Sequence, residues 1–565
     1  MSARSALLIL FSLVFFSAHA TASTTRKDLM QFDDDQKSLN PWVHKNNSSI
    51  KNWLCIDQID EIRYALKLLS QSPICRKTPS LDKNFSNSGV SSISEIVKAT
   101  LNAPASQAEF KTVEASRYKI KSSFASAFLP TLELTNSSIK RSDAQEKISS
   151  KITSYPPIID STTGYANKPN WSYTETNSLI DPQYYASFAL TIPIYKPYNI
   201  QYYAYYKSSD KASAFSSTAS IDSQIKTSLQ DAISLWVAYK QINMNQLNVI
   251  AAFESLVSTV GQYKIGSLAK PDVAESLSTL RSYQSSLASE YETYLSLFNS
   301  LSSQLGSQPS NFKINKDFFT VNFLDPLLNY ERSLDSETLQ TSIKNNNSIY
   351  NYLYLSSSYL DLGKSYLANY LPEISLSLGY SYTSDNESIK TRNCTSNWNC
   401  VLTSKENQIT STADPSISLN MTWTLFDSGS SYYQYKSNKK TAKSNFDLAV
   451  NTAYEAIESI TTDFQKKSLL KDEIDFNYSS LSASIISYRE TLVAYRAGFS
   501  DTTSLVQRLT SLVSARSSYL SSIKDQLENK IDIMASLRDG IYSDLNYFGL
   551  DYNQDLTEKL NVITN

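Results

Sequence analysis

Apolar residues in the second half of the chain recur alternately every four and every three residues. This spacing runs without a break through Ile474, Tyr478, Leu481, Ile485, Tyr488, Leu492 and Tyr495. The first half follows the same rule, with Gln284 filling one gap, at Val249, Phe253, Leu256, Val260 and Tyr263 and at Val273, Leu277, Leu280, Leu287, Tyr291, Tyr294, Phe298 and Leu301. A heptad pattern of this kind predicts helices packed side by side, as in a coiled coil.

The pattern predicts very long helices at 196–262, 267–310, 428–495 and 502–540. At a rise of 1.5 Å per residue, the first of them would be ~100 Å long. For a single tract, ordinary helix packing in a bundle is the better interpretation. Four such tracts of this length instead favour a tube or a stalk, because no compact domain needs them.

Shorter segments alternate apolar with small or polar residues and predict β-strands near 128–136, 184–195, 371–382 and 415–426. Pro130 and Pro372 each stand where a helix must stop, and proline is tolerated at the first position of a strand. Polar loops rich in Ser, Asn and Thr, at 137–183 and 383–412, would join the strands of each pair.

The chain contains an internal repeat. Ala127–Leu134 resembles Asn369–Leu376 around a shared Leu-Pro, and Tyr263–Gly266 resembles Tyr495–Gly498 around a shared Tyr-x-x-Gly. The matches occur in the same order with similar offsets, which predicts two homologous halves. The boundaries that we predict are 93–310 for the first repeat, 336–540 for the second, 311–335 for the linker between them and 541–565 for a C-terminal tail.

The first 20 residues have the three parts of a signal peptide: a basic start at Arg4, an apolar run, and an Ala-x-Ala cleavage site at Ala18 and Ala20. A transmembrane anchor is the alternative, but the run is shorter than the roughly 20 apolar residues that a spanning helix needs. We therefore expect an exported protein with an N-terminal periplasmic extension over 21–92. Its amphipathic stretch Ile59–Leu69 has no role that the sequence reveals.

Composition narrows the function further. A net charge of −2 and the lack of a strong basic run argue against a nucleic-acid partner. The four cysteines form two local pairs, Cys55 with Cys75 and Cys394 with Cys400, and an exported chain with even local pairs favours two disulfides. A metal site is the alternative reading of the second pair, which has no histidine near it. We find no catalytic constellation, and expect no enzyme, no cofactor and no bound metal.

Four strands per chain cannot close a barrel alone, since small closed barrels begin at about eight strands. Several copies of the chain would have to share one. At this point the chain resembles the TolC family of outer-membrane efflux and type I secretion ducts, over about 93–540. The resemblance rests on the repeated Leu-Pro strand starts, on Trp423–Gly429 after a strand, and on Tyr495–Gly498 followed by an apolar helix.

The resemblance implies a mostly α-helical chain with a β-barrel part, built from two structural repeats. Each repeat would supply two transmembrane strands and a pair of long coiled-coil helices. Three chains would form a 12-stranded barrel in the cell outer membrane, in contact with its lipid and continuous with an α-helical barrel across the periplasm. A periplasmic adaptor (membrane fusion) protein and an inner-membrane transporter would be its partners.

By position, the resemblance implies a periplasmic gate made by Tyr263, Lys264, Asp272, Tyr495 and Arg496. The chain departs from the family after the second turn, where Ser504 and Gln507 stand at the acidic positions. Asp272 would supply three carboxylates around a threefold axis and attract cations. The alternative is that Asp272 caps the helix that follows it.

The turns at Tyr263–Ala269 and Tyr495–Asp501 correspond to the family's adaptor-docking region, which assigns Gly266, Gly498 and Asp501 to that role. Both glycines also suit a turn that needs positive φ, with or without a partner. The expected function is a passive exit duct, and the sequence does not reveal its cargo or choose between efflux and protein secretion. The alternative function is an exported coiled-coil stalk or surface adhesin that conducts nothing.

Overall fold

The computed structural model describes residues 53–57, 59–74, 84–139, 147–154, 171–395, 400–497, 499–543 and 545–550. The predicted signal peptide and part of the N-terminal extension lie outside these residues. The chain divides into two compact units. We call them the helical unit, made of 1–115, 211–355 and 444–565, and the sheet unit, made of 116–210 and 356–443.

Long helices dominate the chain, and each repeat contains a pair of them joined by a short turn. We number the helices α1 to α10 in chain order: α1 Asp60–Leu68, α2 Ile93–Asn102, α3 Pro104–Phe128, α4 Pro197–Lys264, α5 Lys270–Gln304, α6 Asp325–Leu328, α7 Ser336–Lys344, α8 Asn347–Ala368, α9 Ser430–Arg496 and α10 Thr502–Leu537. The four long helices α4, α5, α9 and α10 begin and end within a few residues of the predicted bounds, except that α5 stops six residues before 310.

The heptad positions form the core of the helical unit. Val273, Leu280, Leu287 and Leu301 of α5 are fully buried, and Leu481 of α9 is 3% exposed. These residues belong to one apolar cluster that includes the heptad residues of α4 and α10. The heptad positions are therefore the buried positions of these helices, as their spacing predicts.

The segment between the repeats is more structured than the predicted linker implies. Two 3₁₀ turns, Lys316–Phe319 and Val321–Leu324, lead into α6, and Phe318, Leu324 and Leu327 are fully buried against the same core. β1, Phe85–Val90, makes isolated bridges to Ile314 of this segment. The segment is therefore a packed part of the helical unit, because its apolar side chains are buried against the core of that unit.

The sheet unit contains an antiparallel sheet. Its strands are β2 Thr131–Ile139, β3 Lys147–Ser154, β4 Trp171–Tyr195, β5 Glu373–Thr395 and β6 Cys400–Thr422. The strand order is β2-β4-β5-β6, and β3 also pairs with β4. The prediction of a mostly helical chain with an antiparallel sheet is confirmed.

The predicted number and length of the strands were wrong in two respects. The first repeat was expected to supply two strands joined by a loop at 137–183, but the described residues of that stretch include β3 and the first half of β4. In the second repeat, β5 and β6 extend through most of the predicted loop at 383–412. Strand pairing is made by backbone hydrogen bonds, so these polar stretches form ladders without an apolar face. Side chains add to it, as when Thr174 donates to Asn393 Oδ1 at 2.8 Å.

Within the described part of the chain, no helix is both long enough and apolar enough to cross a bilayer. Cys55 is disulfide-bonded, and its expected partner Cys75 lies outside the described residues. Cys394 and Cys400 stand opposite each other in the register of β5 and β6, while their side chains lie outside the described part. Directly opposed residues of an antiparallel pair have the backbone separation that a disulfide needs.

Candidate functional site

The first candidate site is the turn between α4 and α5. The N–H of Gly266 donates to the carbonyl of Tyr263 at 3.0 Å, and the N–H of Ser267 donates to the carbonyl of Gln262 at 2.9 Å. Gly266 has a φ of 77°, the left-handed conformation that ends a helix in this pattern of hydrogen bonds. The Tyr-x-x-Gly motif is therefore a helix-ending signal, which explains the need for glycine without any partner.

The turn between α9 and α10 contains the equivalent of one of these hydrogen bonds. The N–H of Phe499 donates to the carbonyl of Ala494 at 2.8 Å, the equivalent of the bond from Ser267 to Gln262. Gly498 lies outside the described residues. Arg496 is the last residue of α9, and its side chain is outside the described part of the chain.

In each pair, an aspartate accepts a backbone hydrogen bond in the first turn of the second helix. The carboxylate of Asp501 accepts from the N–H of Ser504 at 2.6 Å, and that of Asp272 accepts from the N–H of Ala269 at 2.7 Å. The hydrogen bond from Ser504 lowers the pKa of Asp501. Asp272 is therefore engaged with the backbone at the start of α5, as the third residue of that helix, and its side chain is half-buried.

Each turn also presents one apolar side chain almost completely to solvent. Ile265 is 80% exposed and Phe499 is 88% exposed. Sequence reasoning placed both within the docking turns but singled out neither. The sequence signal for Ile265 and Phe499 is an apolar residue at the tip of a helical pair, outside the heptad positions.

The structure groups the predicted gate residues by repeat. Tyr263, Lys264 and Asp272 lie around the first turn, and Tyr495 and Arg496 lie at the second. Tyr263 is half-buried against the core of the helical unit. The ammonium of Lys264 lies over the ring of Tyr64, 4.7 Å from its centroid, a partner from the N-terminal extension that the sequence did not predict.

The second candidate site is the sheet, where apolar side chains are in register on one face. One row joins Leu132, Leu190, Leu378 and Ile417 across β2, β4, β5 and β6. The next row on that face includes Leu134, Phe188 and Tyr380. Directly opposed residues point to the same side of a sheet, so these rows form a continuous apolar face.

This apolar face is open to solvent. Leu132 is 70% exposed, Ile417 79% and Leu419 67%. The alternate rows are polar or small: Thr191 pairs with Ser377, whose hydroxyl accepts from Asn420 Nδ2 at 3.0 Å. The sheet is therefore amphipathic, with an exposed apolar face and a polar face, which is the side-chain pattern of a strand with lipid on one side and water on the other.

A buried charged network lies in the helical unit. Arg538 Nε is 3.6 Å from Asp222 Oδ2, and Asn347 Nδ2 donates to the same oxygen at 2.9 Å. Burial raises the pKa of Asp222 to about 6. Among the described residues no three His, Cys, Asp or Glu side chains are grouped to hold a metal ion.

Solved structures match this arrangement over most of the chain. The Campylobacter jejuni CmeC outer membrane channel superposes with a TM-score of 0.58 at 16% identity, covering 86% of this chain and 93% of that one. The outer membrane protein VceC from Vibrio cholerae gives 0.54 at 12% identity, covering 80% and 96%. The fold is that of the TolC-type channels.

The open state of the Neisseria gonorrhoeae MtrE outer membrane channel has the same TolC-like fold, with a TM-score of 0.53 at 14% identity and coverage of 80% of this chain and 90% of that one. The resemblance inferred from the sequence is thus confirmed at the level of the fold. No protein-family model matches the sequence, and no curated protein matches it either.

Proposed function

We propose that this protein is the outer-membrane exit duct of a tripartite efflux pump or a type I secretion system, conducting cargo passively from the periplasm or an inner-membrane transporter to the exterior. The observation that carries the proposal is the amphipathic sheet with its exposed apolar face, combined with repeated long helical pairs, in a TolC-like fold. The duct would perform no chemistry. Energy would come from the transporter through an adaptor.

The proposal includes a homotrimer with a shared 12-stranded barrel in the outer membrane. Along the path β2-β4-β5-β6, the sheet has β2 at one end and β6 at the other, and pairing these ends between copies would close it. Closure pairs the backbone N–H and C=O groups of the edge strands. These groups cannot remain without hydrogen bonds in the hydrocarbon core of a bilayer. The apolar face would then contact lipid and the polar face would line the lumen. Export by the cleaved signal peptide is part of this proposal.

A second copy would also cover part of the helical unit. α9 carries exposed apolar residues at Leu469, Phe476, Ile486 and Val493, which are 69%, 74%, 54% and 65% exposed. Their spacings of seven, ten and seven residues keep them on one side of the helix. A heptad stripe of this kind, outside the buried seam of the same helix, supports packing against a neighbouring chain in a helical barrel.

The proposed gate and docking surfaces lie at the two turns. The exposed side chains of Ile265 and Phe499 would dock the adaptor together with the backbone around Gly266, Gly498 and Asp501. Tyr263, Lys264, Asp272, Tyr495 and Arg496 would hold the closed state. Docking would shift the turns between two packings, a population shift that needs different contacts in each state.

The test is single-channel conductance of the purified protein in planar bilayers, with its oligomeric mass measured in the same detergent. A trimer with small, cation-preferring conductance is expected, and substitution of Tyr495 or Arg496 should increase that conductance. Unchanged conductance in both variants would remove the gate assignment. A monomer that never inserts would identify the protein as a coiled-coil stalk and contradict the duct.

A further inference from the structure

Residues 53–57 and 59–74, which lie outside the TolC-like resemblance, form a small element packed on the first helical pair. We call it the N-terminal element. Ile56, Ile62, Ala65 and Leu66 are each at most 3% exposed and belong to the same apolar cluster as the heptad residues of α4 and α5. The amphipathic α1 therefore buries its apolar face on the helical pair instead of standing apart from it.

A buried ion pair attaches the element to α5. Arg281 Nη2 donates to Asp57 Oδ2 at 2.7 Å, and the Asp57 side chain is 1% exposed. Gln284, one turn further along α5, donates from Nε2 to the carbonyl of Trp53 at 2.9 Å. The same Asp57 oxygen accepts from the N–H of Ile74, so this carboxylate also joins the two ends of the element.

Other contacts attach the element to α4. The ring of Trp53 meets that of Phe253 edge to face, with centroids 6.1 Å apart. Eleven residues further along α4, Lys264 lies over the ring of Tyr64. The element thus touches both helices of the pair and reaches the last residue of α4, directly before the turn.

These partners are specific to the first repeat. Aligning Tyr263 with Tyr495 places Val513 and Arg516 of α10 at the positions of Arg281 and Gln284. Val513 cannot form the ion pair with a carboxylate, and Arg516 is 1% exposed within the core. The second helical pair therefore does not reproduce the polar contacts that hold the element.

We infer that the N-terminal element is a clamp that holds α4 and α5 together next to their turn and restrains movement of the first turn. The clamp itself follows from the contacts above. Its effect on channel opening rests on the proposed function. Because the ammonium of Lys264 contacts the ring of Tyr64, the clamp also restricts the movement of one of the proposed gate residues.

The test compares hydrogen exchange in full-length Asp57→Asn, Tyr64→Leu and wild-type protein, using peptides from both turns. Asp57→Asn breaks a buried ion pair, and Tyr64→Leu removes the Lys264 contact from an exposed position that does not endanger folding. We expect exchange around 255–268 to rise by about tenfold in Asp57→Asn and less in Tyr64→Leu. Exchange at 487–500 should not change. Arg63→Ala, an exposed change on the same helix, is the control.

Unchanged exchange at the first turn in both variants would overturn the clamp, as would an equal rise at both turns, which would mean general loosening. Conductance of the same variants then tests the restraint on opening, and more frequent openings are expected. Faster exchange without more frequent openings would overturn that restraint. If the wild-type protein forms no channel, the proposed function fails while the exchange result still decides the clamp.

Discussion

The carboxylate of Asp501 accepts a hydrogen bond from the N–H of Ser504 at the start of α10. Side chains in this position satisfy one of the backbone donors that a helix leaves unpaired at its N-terminus. The adjacent turn is the proposed docking site, so this cap fixes the position at which the turn ends and α10 begins. The pKa of Asp501 is lowered by this bond, so the stabilisation is present above about pH 4 and is lost as the pH falls through the lowered pKa.

Substitution of Asp501 should loosen the first turn of α10. We expect Asp501→Ala to lower local stability there by about 1 kcal/mol, because the N–H of Ser504 loses its acceptor. Hydrogen exchange of peptides from 502–510 measures this, with Asp501→Asn as the control, since asparagine caps almost as well. Equal effects of the two substitutions would show that the charge, not the cap, stabilises the turn.

Asp222 should make the stability of the helical unit depend on pH. Burial raises its pKa to about 6, compared with about 3.9 in an unfolded chain. Its ionisation therefore opposes folding progressively as the pH rises from about 4 to 6, and by a constant amount above that. The neighbouring groups are Arg538, Tyr547 and Tyr542.

Asp222→Asn should remove this pH dependence. We expect the thermal stability of wild type, relative to the variant, to fall between about pH 4 and 6 and then to stay level up to pH 8. Thermal unfolding followed by circular dichroism measures it. Ser223→Ala, an exposed and non-titrating change on the same helix, should keep the wild-type profile. A variant whose difference from wild type does not change across this range would contradict the assignment.

At the residue scale the sequence was partly informative. The sequence allows Asp272 to be either a gate carboxylate or a cap, because both need an acidic residue after a turn, and the hydrogen bond from the N–H of Ala269 exists only in the folded chain. The contact between Lys264 and Tyr64 could not be predicted, since 200 residues separate the two in sequence. No local pattern reports a contact of that kind.

At the scale of elements, the heptad seams made the long helices predictable. Every heptad residue of α5, from Val273 to Leu301, is buried. The sheet was less predictable, because alternation was visible only where one face is apolar, as from Phe188 to Ile192. The polar halves of β4, β5 and β6 lack that contrast, so they resemble loops until their backbone pairing is known.

Removing one seam residue should destabilise the helical unit strongly. Leu280 is fully buried in α5, and Leu280→Ala should lower the free energy of unfolding by about 2–5 kcal/mol through lost burial and the cavity that remains. Denaturant unfolding in detergent measures this. Ser285→Ala, an exposed change on the same helix, should stay within about 0.5 kcal/mol. A small effect for Leu280→Ala would mean that this seam is loosely packed.

At the scale of the whole molecule, the residues that the structure describes expose an apolar surface in each unit. The sheet exposes its apolar face, and α9 exposes the stripe through Leu469 and Phe476. Large exposed apolar surfaces usually mark contact with lipid or with another chain. Lipid suits the sheet, whose other face is polar. A neighbouring helix suits the stripe, whose spacing is that of a coiled coil.

The stripe on α9 gives the most direct test of the proposed trimer. Leu469→Ser with Phe476→Ser removes two side chains that are already exposed in the single chain, so its fold should persist. If copies pack through the stripe, the trimer should dissociate at protein concentrations at least about tenfold higher than wild type, since burying each side chain contributes about 1.5–3 kcal/mol. Native mass spectrometry across a dilution series measures this.

The control is the double variant Lys466→Ser with Asp472→Ser, which removes exposed charges from the same helix. Equal dissociation of both double variants would contradict packing through the stripe, and an unchanged trimer in both would place the contacts between copies outside the stripe.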